Sequence, residues 1–155
     1  MNGSSCSTIS INDGFNIEAL ADIISEEEAE GDNKILIVFD DVITQISRNL
    51  PPLIKLLYNR RHIGNGISVI LTSQKFTKIP LELRTVATGV FFFETKNKTE
   101  IDTLYDEYGN MKKPDFLKLM QYVFDKKYNF LYMNLLEPVK RMYYKNFNLL
   151  TWDFV

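Results

Sequence analysis

Five consecutive apolar residues, Ile35-Leu36-Ile37-Val38-Phe39, run directly into two carboxylates, Asp40 and Asp41. A segment that is apolar at every position fits a strand covered on both faces, as in the central parallel sheet of an α/β domain. Both acids then fall at the strand's carboxyl end, the edge outside which ligands bind in open α/β sheets. A carboxylate there suits a magnesium ion or its water, while its neighbour can act on a nucleophile.

A second element of the same kind follows. Pro51-Pro52 opens a helix in which Leu53, Ile54, Leu56, Leu57 and Tyr58 are expected to face the core, with Arg60-Arg61-His62 in its last turn, where cations suit the helix dipole. Gly64-Asn65-Gly66 then turns the chain into Ile67-Ser68-Val69-Ile70-Leu71, a strand ending in Thr72-Ser73-Gln74. Right-handed crossovers between parallel strands bring Asp40, Asp41 and Gln74 to one rim of the sheet. Beside an acidic pair, a glutamine is suited to positioning an attacking water or sensing a γ-phosphate.

The remaining segments read mainly as scaffold. Asn16 is placed to cap a helix whose Ile17, Leu20, Ile23 and Ile24 form one stripe before Gly31, and Glu26, Glu27, Glu28 and Glu30 read as its solvated end. Ile79 to Arg84 suggests a short helix begun at Pro80, and Gly89 to Glu94 a third buried strand. Its Phe91-Phe92-Phe93 invites a base-stacking reading, but strand alternation favours core packing on both sides. Helices are expected over Thr99 to Tyr108, with Thr99 capping and Ile101, Leu104 and Tyr105 inward, and over Asp115 to Phe124, with Phe116, Leu119, Met120 and Val123 inward. Tyr128 to Met133 and Val139 to Tyr144 read as strands extending or edging the same sheet. Lys140, Arg141 and Lys145 interleave with Tyr143 and Tyr144, a pattern usable for single-stranded nucleic acid, although a solvated strand face is the favoured reading.

With 155 residues, 45% hydrophobic and 25% charged, the composition fits one soluble domain with a core. The formal charge of −2 argues against a sequence-wide basic footprint for nucleic acid, so any such contact is local or shared among subunits. A single cysteine, Cys6, and the lack of a secretory signal pattern point to an intracellular setting, and no apolar run approaches the roughly 20 residues of a membrane span. His62 is the sole histidine and has no metal-binding partner in sequence. Residues 1–15 are small and polar, as expected of a flexible leader.

The ordered set Phe39-Asp40-Asp41, Arg61-His62, Thr72-Ser73-Gln74, Ile79-Pro80 with Arg84, and Gly89 to Glu94 resembles the poxvirus-type genome-packaging ATPases of large nucleocytoplasmic DNA viruses, within the FtsK/HerA superfamily of P-loop NTPases. Phe130-Leu131-Tyr132 and Tyr144-Lys145-Asn146-Phe147 are similar to that family's closing segments. The resemblance implies an α/β fold: a three-layer, RecA/FtsK-type, mostly parallel sheet, incomplete at the N-terminus, with residues 16–155 as the C-terminal portion of the ATPase domain. It further implies ATP and Mg2+ as cofactors, with Asp40 holding the metal through water and Ser73 near the nucleotide. Asp41 would orient or deprotonate the hydrolytic water and Gln74 would report on the γ-phosphate. Arg84 would reach a neighbouring subunit's nucleotide, or pair with a carboxylate such as that of Glu82. Double-stranded DNA, other copies of the chain in a ring, capsid proteins and a separate fragment carrying the Walker A loop are the implied partners, in host cytoplasm (the viral factory) or the virion.

One departure bears on activity. Residues 1–34 contain no Gly-x-x-x-x-Gly-Lys-Ser/Thr phosphate loop, the usual source of backbone donors and a lysine for the β and γ phosphates. The expectation is a DNA-packaging motor component that hydrolyses ATP poorly or not at all alone. The competing expectation is a non-catalytic interaction module that retains the ATPase fold. A magnesium-dependent phosphoacceptor domain ranks last, since the later strands end in Gln74 and Glu94 where that chemistry needs a further aspartate and a lysine.

Overall fold

A computed structural model describes residues 16–30, 35–63 and 66–151. The expected leader, Lys34 and the Gly64-Asn65 turn lie outside them. The chain divides into two compact units, the first running to Gln74 and the second starting at Lys75.

The first unit holds α1 (Ile17–Glu30), β1 (Ile35–Phe39), α2 (Ile43–Ile46), α3 (Leu50–Asn59) and β2 (Ile67–Leu71). Asn16 caps α1 as its residue type suggests: its Oδ1 accepts the backbone N–H groups of Glu18 and Ala19 at 2.9 and 3.2 Å. In α3 the prolines occupy the first turn, where no intrahelical N–H is needed, and Leu53, Leu56 and Leu57 are buried. Tyr58, expected in the core, is exposed, because the buried stripe of a ten-residue helix is filled by the leucines. At the helix end Arg60 Nη1 donates to the Leu57 carbonyl at 2.6 Å, satisfying one of the terminal acceptors.

β1 and β2 pair in parallel, Ile35 opposite Ile67 through Phe39 opposite Leu71. Phe39 and Ile67 are buried with Leu20, Ile43 and Ile46 in this unit's core. The uniformly apolar run is not covered on both faces. Leu36 and Val38 are 60% and 55% exposed, and Ile70 on the same face is also exposed. Among the described residues only one layer packs on this two-stranded sheet, so the apolar pattern on its other face meets solvent.

The second unit holds a 3-10 turn (Phe76–Lys78), α4 (Leu81–Thr85), β3 (Gly89–Phe93), α5 (Lys98–Tyr108), α6 (Lys113–Val123), β4 (Phe130–Asn134), a second 3-10 turn (Val139–Arg141), β5 (Tyr143–Lys145) and β6 (Asn148–Leu149). β3, β4, β5 and β6 form an antiparallel sheet in that order. The molecule is thus mixed α/β with a small parallel sheet and a separate antiparallel one. This corrects the expected continuation of one mostly parallel sheet, and an antiparallel sheet of this kind is not typical of RecA-like folds. The physical reason lies in the partners. Short connections between β4, β5 and β6 permit only antiparallel returns, and β3 joins them by pairing Phe91 with Tyr132 and Phe93 with Phe130.

Phe92, Leu131, Met133 and Tyr143 form the inward face of that sheet, sharing a core with Leu104 of α5 and Phe116, Leu119, Met120 and Val123 of α6. All four inward positions read for α6 are buried. The N-cap of α5 is Asn97, whose side chain accepts from Thr99 N–H at 3.0 Å, two residues before the expected cap. Glu100 is a buried carboxylate satisfied by Thr77, which donates both its N–H and its hydroxyl, so the first 3-10 turn is tied to α5. The Phe triplet splits by strand alternation. Phe92 is core, whereas Phe91 and Phe93 are 52% and 61% exposed on a face expected to be packed.

Candidate functional site

Parallel register determines the acidic rim. Because Phe39 lies opposite Leu71, the first residues past the two strands, Asp40 and Thr72, become neighbours. The Thr72 hydroxyl donates to Asp40 Oδ1 at 2.5 Å and accepts from the Asp41 backbone N–H at 3.0 Å. Thr72 N–H in turn donates to the Phe39 carbonyl at 2.9 Å, extending the strand pairing by one bond. Two residues further on, Gln74 Nε2 donates to Asp41 Oδ2 at 2.6 Å. Asp40, Asp41, Thr72 and Gln74 thus converge from sequence positions more than thirty residues apart, and Ser73 lies half-buried between the last two.

Asp41 has φ of +54°, in the left-handed region that a non-glycine residue enters at a cost. Aspartate is among the side chains that tolerate it. The backbone reversal directs the chain from β1 into α2 while Thr72 holds the Asp41 N–H. Among the described residues neither carboxylate forms an ion pair with a lysine or arginine. Thr72 and Gln74 give the two carboxylates neutral donors, and both acids are exposed.

The donor set is one of hard oxygens, which suits magnesium. No group of three or more His, Cys, Asp or Glu side chains among the described residues is placed to hold a metal ion. Two carboxylates without further protein ligands match an ion that keeps most of its water and shares the rest of its shell with phosphate. The same rim offers no glycine-rich phosphate cradle.

Arg84 belongs to the second unit, where its guanidinium is engaged. Nη2 pairs with Glu107 at 2.9 Å, and the guanidinium carbon lies 5.1 Å from the Phe76 ring centroid. Its side chain is 12% exposed, and Nε and Nη1 are buried with no hydrogen-bond partner among the described residues. The carboxylate beside it is that of Glu107, not Glu82. Burial raises the Glu107 carboxyl above its ordinary range, and Arg84 opposes that shift. Tyr108 donates its hydroxyl to the Arg84 carbonyl at 3.0 Å, and Tyr143 donates to the carbonyls of Tyr108 and Gly109 at the end of α5. Burial pushes both phenols up to about 12.

Thr72 is the site residue that sequence reasoning passed over. Its signal was available in principle: a hydroxyl placed first after a strand in parallel register with the acidic one. No protein-family model, curated protein or solved structure matches this chain. No helix among the described residues is long and apolar enough to cross a membrane.

Proposed function

We propose that the chain supplies the acidic rim of a magnesium–nucleotide site in a viral-type DNA-packaging motor, within a P-loop NTPase-like fold whose phosphate loop comes from another segment or chain. The observation that carries this reading is the hydrogen-bonded set Asp40, Thr72, Asp41 and Gln74 at the carboxyl end of two parallel strands. In it Asp40, oriented by the Thr72 hydroxyl, holds the water shell of magnesium. Asp41 orients the hydrolytic water and accepts its proton, and Gln74 couples that carboxylate to the γ-phosphate position. Magnesium would supply neutralisation of charge developing on the transferred phosphoryl group. Double-stranded DNA as the translocated substrate, a ring of copies, capsid proteins and a cytoplasmic or virion setting belong to the same proposal and rest on the sequence resemblance.

A second reading, a non-catalytic interaction module, is favoured by one observation: the sequence contains no Gly-x-x-x-x-Gly-Lys-Ser/Thr loop. Two measurements separate them. Mixing the chain with a phosphate-loop fragment of a packaging ATPase should give magnesium-dependent phosphate release from ATP that Asp41→Asn abolishes. Activity that survives Asp41→Asn removes the catalytic assignment, as does a mixture that stays silent although the two fragments co-purify. Calorimetric silence toward Mg–ATP in that co-purified complex would establish the interaction module.

A further inference from the structure

The outward face of the antiparallel sheet is paved with aromatic rings. Phe91, Tyr132 and Tyr144 are cross-strand partners in one row, with Leu149 at its end, and Phe93 and Phe130 form the next row. Phe91 stacks on Tyr132 at 4.6 Å between centroids, and Phe147 meets Phe91, Phe130 and Tyr132 at 6.2, 5.3 and 6.5 Å. Phe147 is 74% exposed, the most open ring of this group. Its position is built rather than incidental. Asn146, with φ of +55°, turns the β5–β6 hairpin, accepts from Phe130 N–H through Oδ1 at 3.0 Å and donates to Asn129 at 3.1 Å. Gly89 serves the same surface: a Cβ there would sit 3.1 Å from the Tyr132 ring, a tight contact that the ring would have to shift to accommodate.

Charge says what this face suits. Residues 1–74 carry ten acidic and five basic side chains, whereas residues 75–155 carry ten acidic and thirteen basic, so the formal charges are −5 and +3. Around the sheet end where β3 finishes and β4 begins, Lys96, Lys98, Lys126 and Lys127 are exposed, and among the described residues none is in an ion pair, Lys127 lying 4.8 Å from the exposed Tyr128 ring. The acids in the same segments are Glu94, which is exposed, and Asp125, which Lys145 neutralises at 2.7 Å. Open rings beside exposed lysines match single-stranded nucleic acid, whose bases stack on aromatic faces while its phosphates seek cations. A duplex hides those base faces, and an apolar protein partner would leave the lysines without counter-charge.

We propose that the outer face of the β3–β6 sheet is a binding platform for single-stranded nucleic acid, stacking two or three bases on Phe93, Phe147 and Phe91 with the backbone held by Lys96, Lys98, Lys126 and Lys127. It stands apart from the nucleotide-site reading, since it uses none of the rim residues. The test is fluorescence anisotropy of the full chain with a labelled oligothymidine of about 12 nucleotides and with a duplex of equal length, a span that covers an aromatic groove of this type. The single strand should bind at least about tenfold more tightly than the duplex. Phe93→Ala and Phe147→Ala should each weaken binding by about fivefold or more. Lys96→Ala and Lys127→Ala should each reduce the slope of log affinity against log salt by about 0.7. If an alanine variant fails to fold, by circular dichroism, Phe93→Leu with Phe147→Leu keeps the apolar bulk, and the same loss of affinity is expected. Equal affinity for duplex, no binding, or wild-type affinity in the leucine pair would overturn the proposal. So would a self-associated chain that these substitutions turn monomeric without changing oligonucleotide affinity, which would identify a second copy as the occupant.

Discussion

Replacing Arg84 with methionine tests whether its guanidinium is a packing element of the second unit. The ion pair to Glu107 is a charge-assisted hydrogen bond with both side chains mostly out of water, 12% and 20% exposed, and such a bond contributes roughly 1.5–3 kcal/mol. The Phe76 ring adds about 0.5–1 kcal/mol. Against this, Nε and Nη1 are buried without partners among the described residues, and methionine removes that cost. The net loss for Arg84→Met is therefore about 2 kcal/mol at neutral pH, or roughly 10 °C in Tm for a unit of this size. Urea denaturation followed by circular dichroism reads it. The sign with pH follows from Glu107. Its carboxyl is already lifted by burial, so its contribution is full below the unfolded value near 4.5 and is lost as pH rises through the higher folded value. Removing Arg84 raises that folded value further, so the deficit should be smaller near pH 4.5 than at pH 7. Adding Glu107→Leu should recover more than half of the loss, since replacing both members of a buried pair is far less costly than stranding one. A loss below about 0.5 kcal/mol, or the same loss with and without Glu107, would refute the packing role.

Three further outcomes are expected. Tyr108 and Tyr143, held up to about 12 by burial, should ionise above the ordinary phenol range when followed at 295 nm, and stability should fall by about 1.4 kcal/mol per pH unit per group between pH 10 and 12; Tyr143→Phe should remove one late transition. Thr72→Val should speed hydrogen exchange at the Asp41 amide while lowering stability by no more than about 1 kcal/mol, because the Asp40 carboxylate and the Asp41 amide that it serves belong to exposed residues. Gly109→Ala should destabilise by about 1–3 kcal/mol in thermal melts, since its Cβ would lie 2.4 Å from Tyr105 Cδ2 and 2.5 Å from the Tyr105 carbonyl oxygen.

Local chemistry was legible in the sequence where one element settles it. The helical spacing of Phe116, Leu119, Met120 and Val123 specifies their burial, Asn16 announces its cap, and a strand running into Asp40 and Asp41 places the acids at a strand end. What escaped depends on partners remote in the chain. The apolar run 35–39 demands burial but does not state how many layers will cover it, and here one face, with Leu36 and Val38, stays open. Three phenylalanines in a row are the same pattern whether a strand is sandwiched or half-bare. β3 is compatible with either a parallel or an antiparallel neighbour, and its pairing to Phe130 and Tyr132 is decided by a hairpin some forty residues downstream. Arg84 has a carboxylate two residues before it in Glu82, yet the fold presents Glu107. Thr72 matters only once register sets it against Asp40.

The two-stranded parallel pair has a consequence for handling the protein. Among the described residues β1 and β2 have no strand neighbour but each other, so each has an outer margin on which no further strand is paired, beside the exposed side chains of Leu36, Val38 and Ile70. Such margins template the addition of further strands from any chain that reaches them. At raised concentration the isolated polypeptide should therefore accrete through this region first, and a lysine at Val38 or Ile70 is the change expected to keep it dispersed.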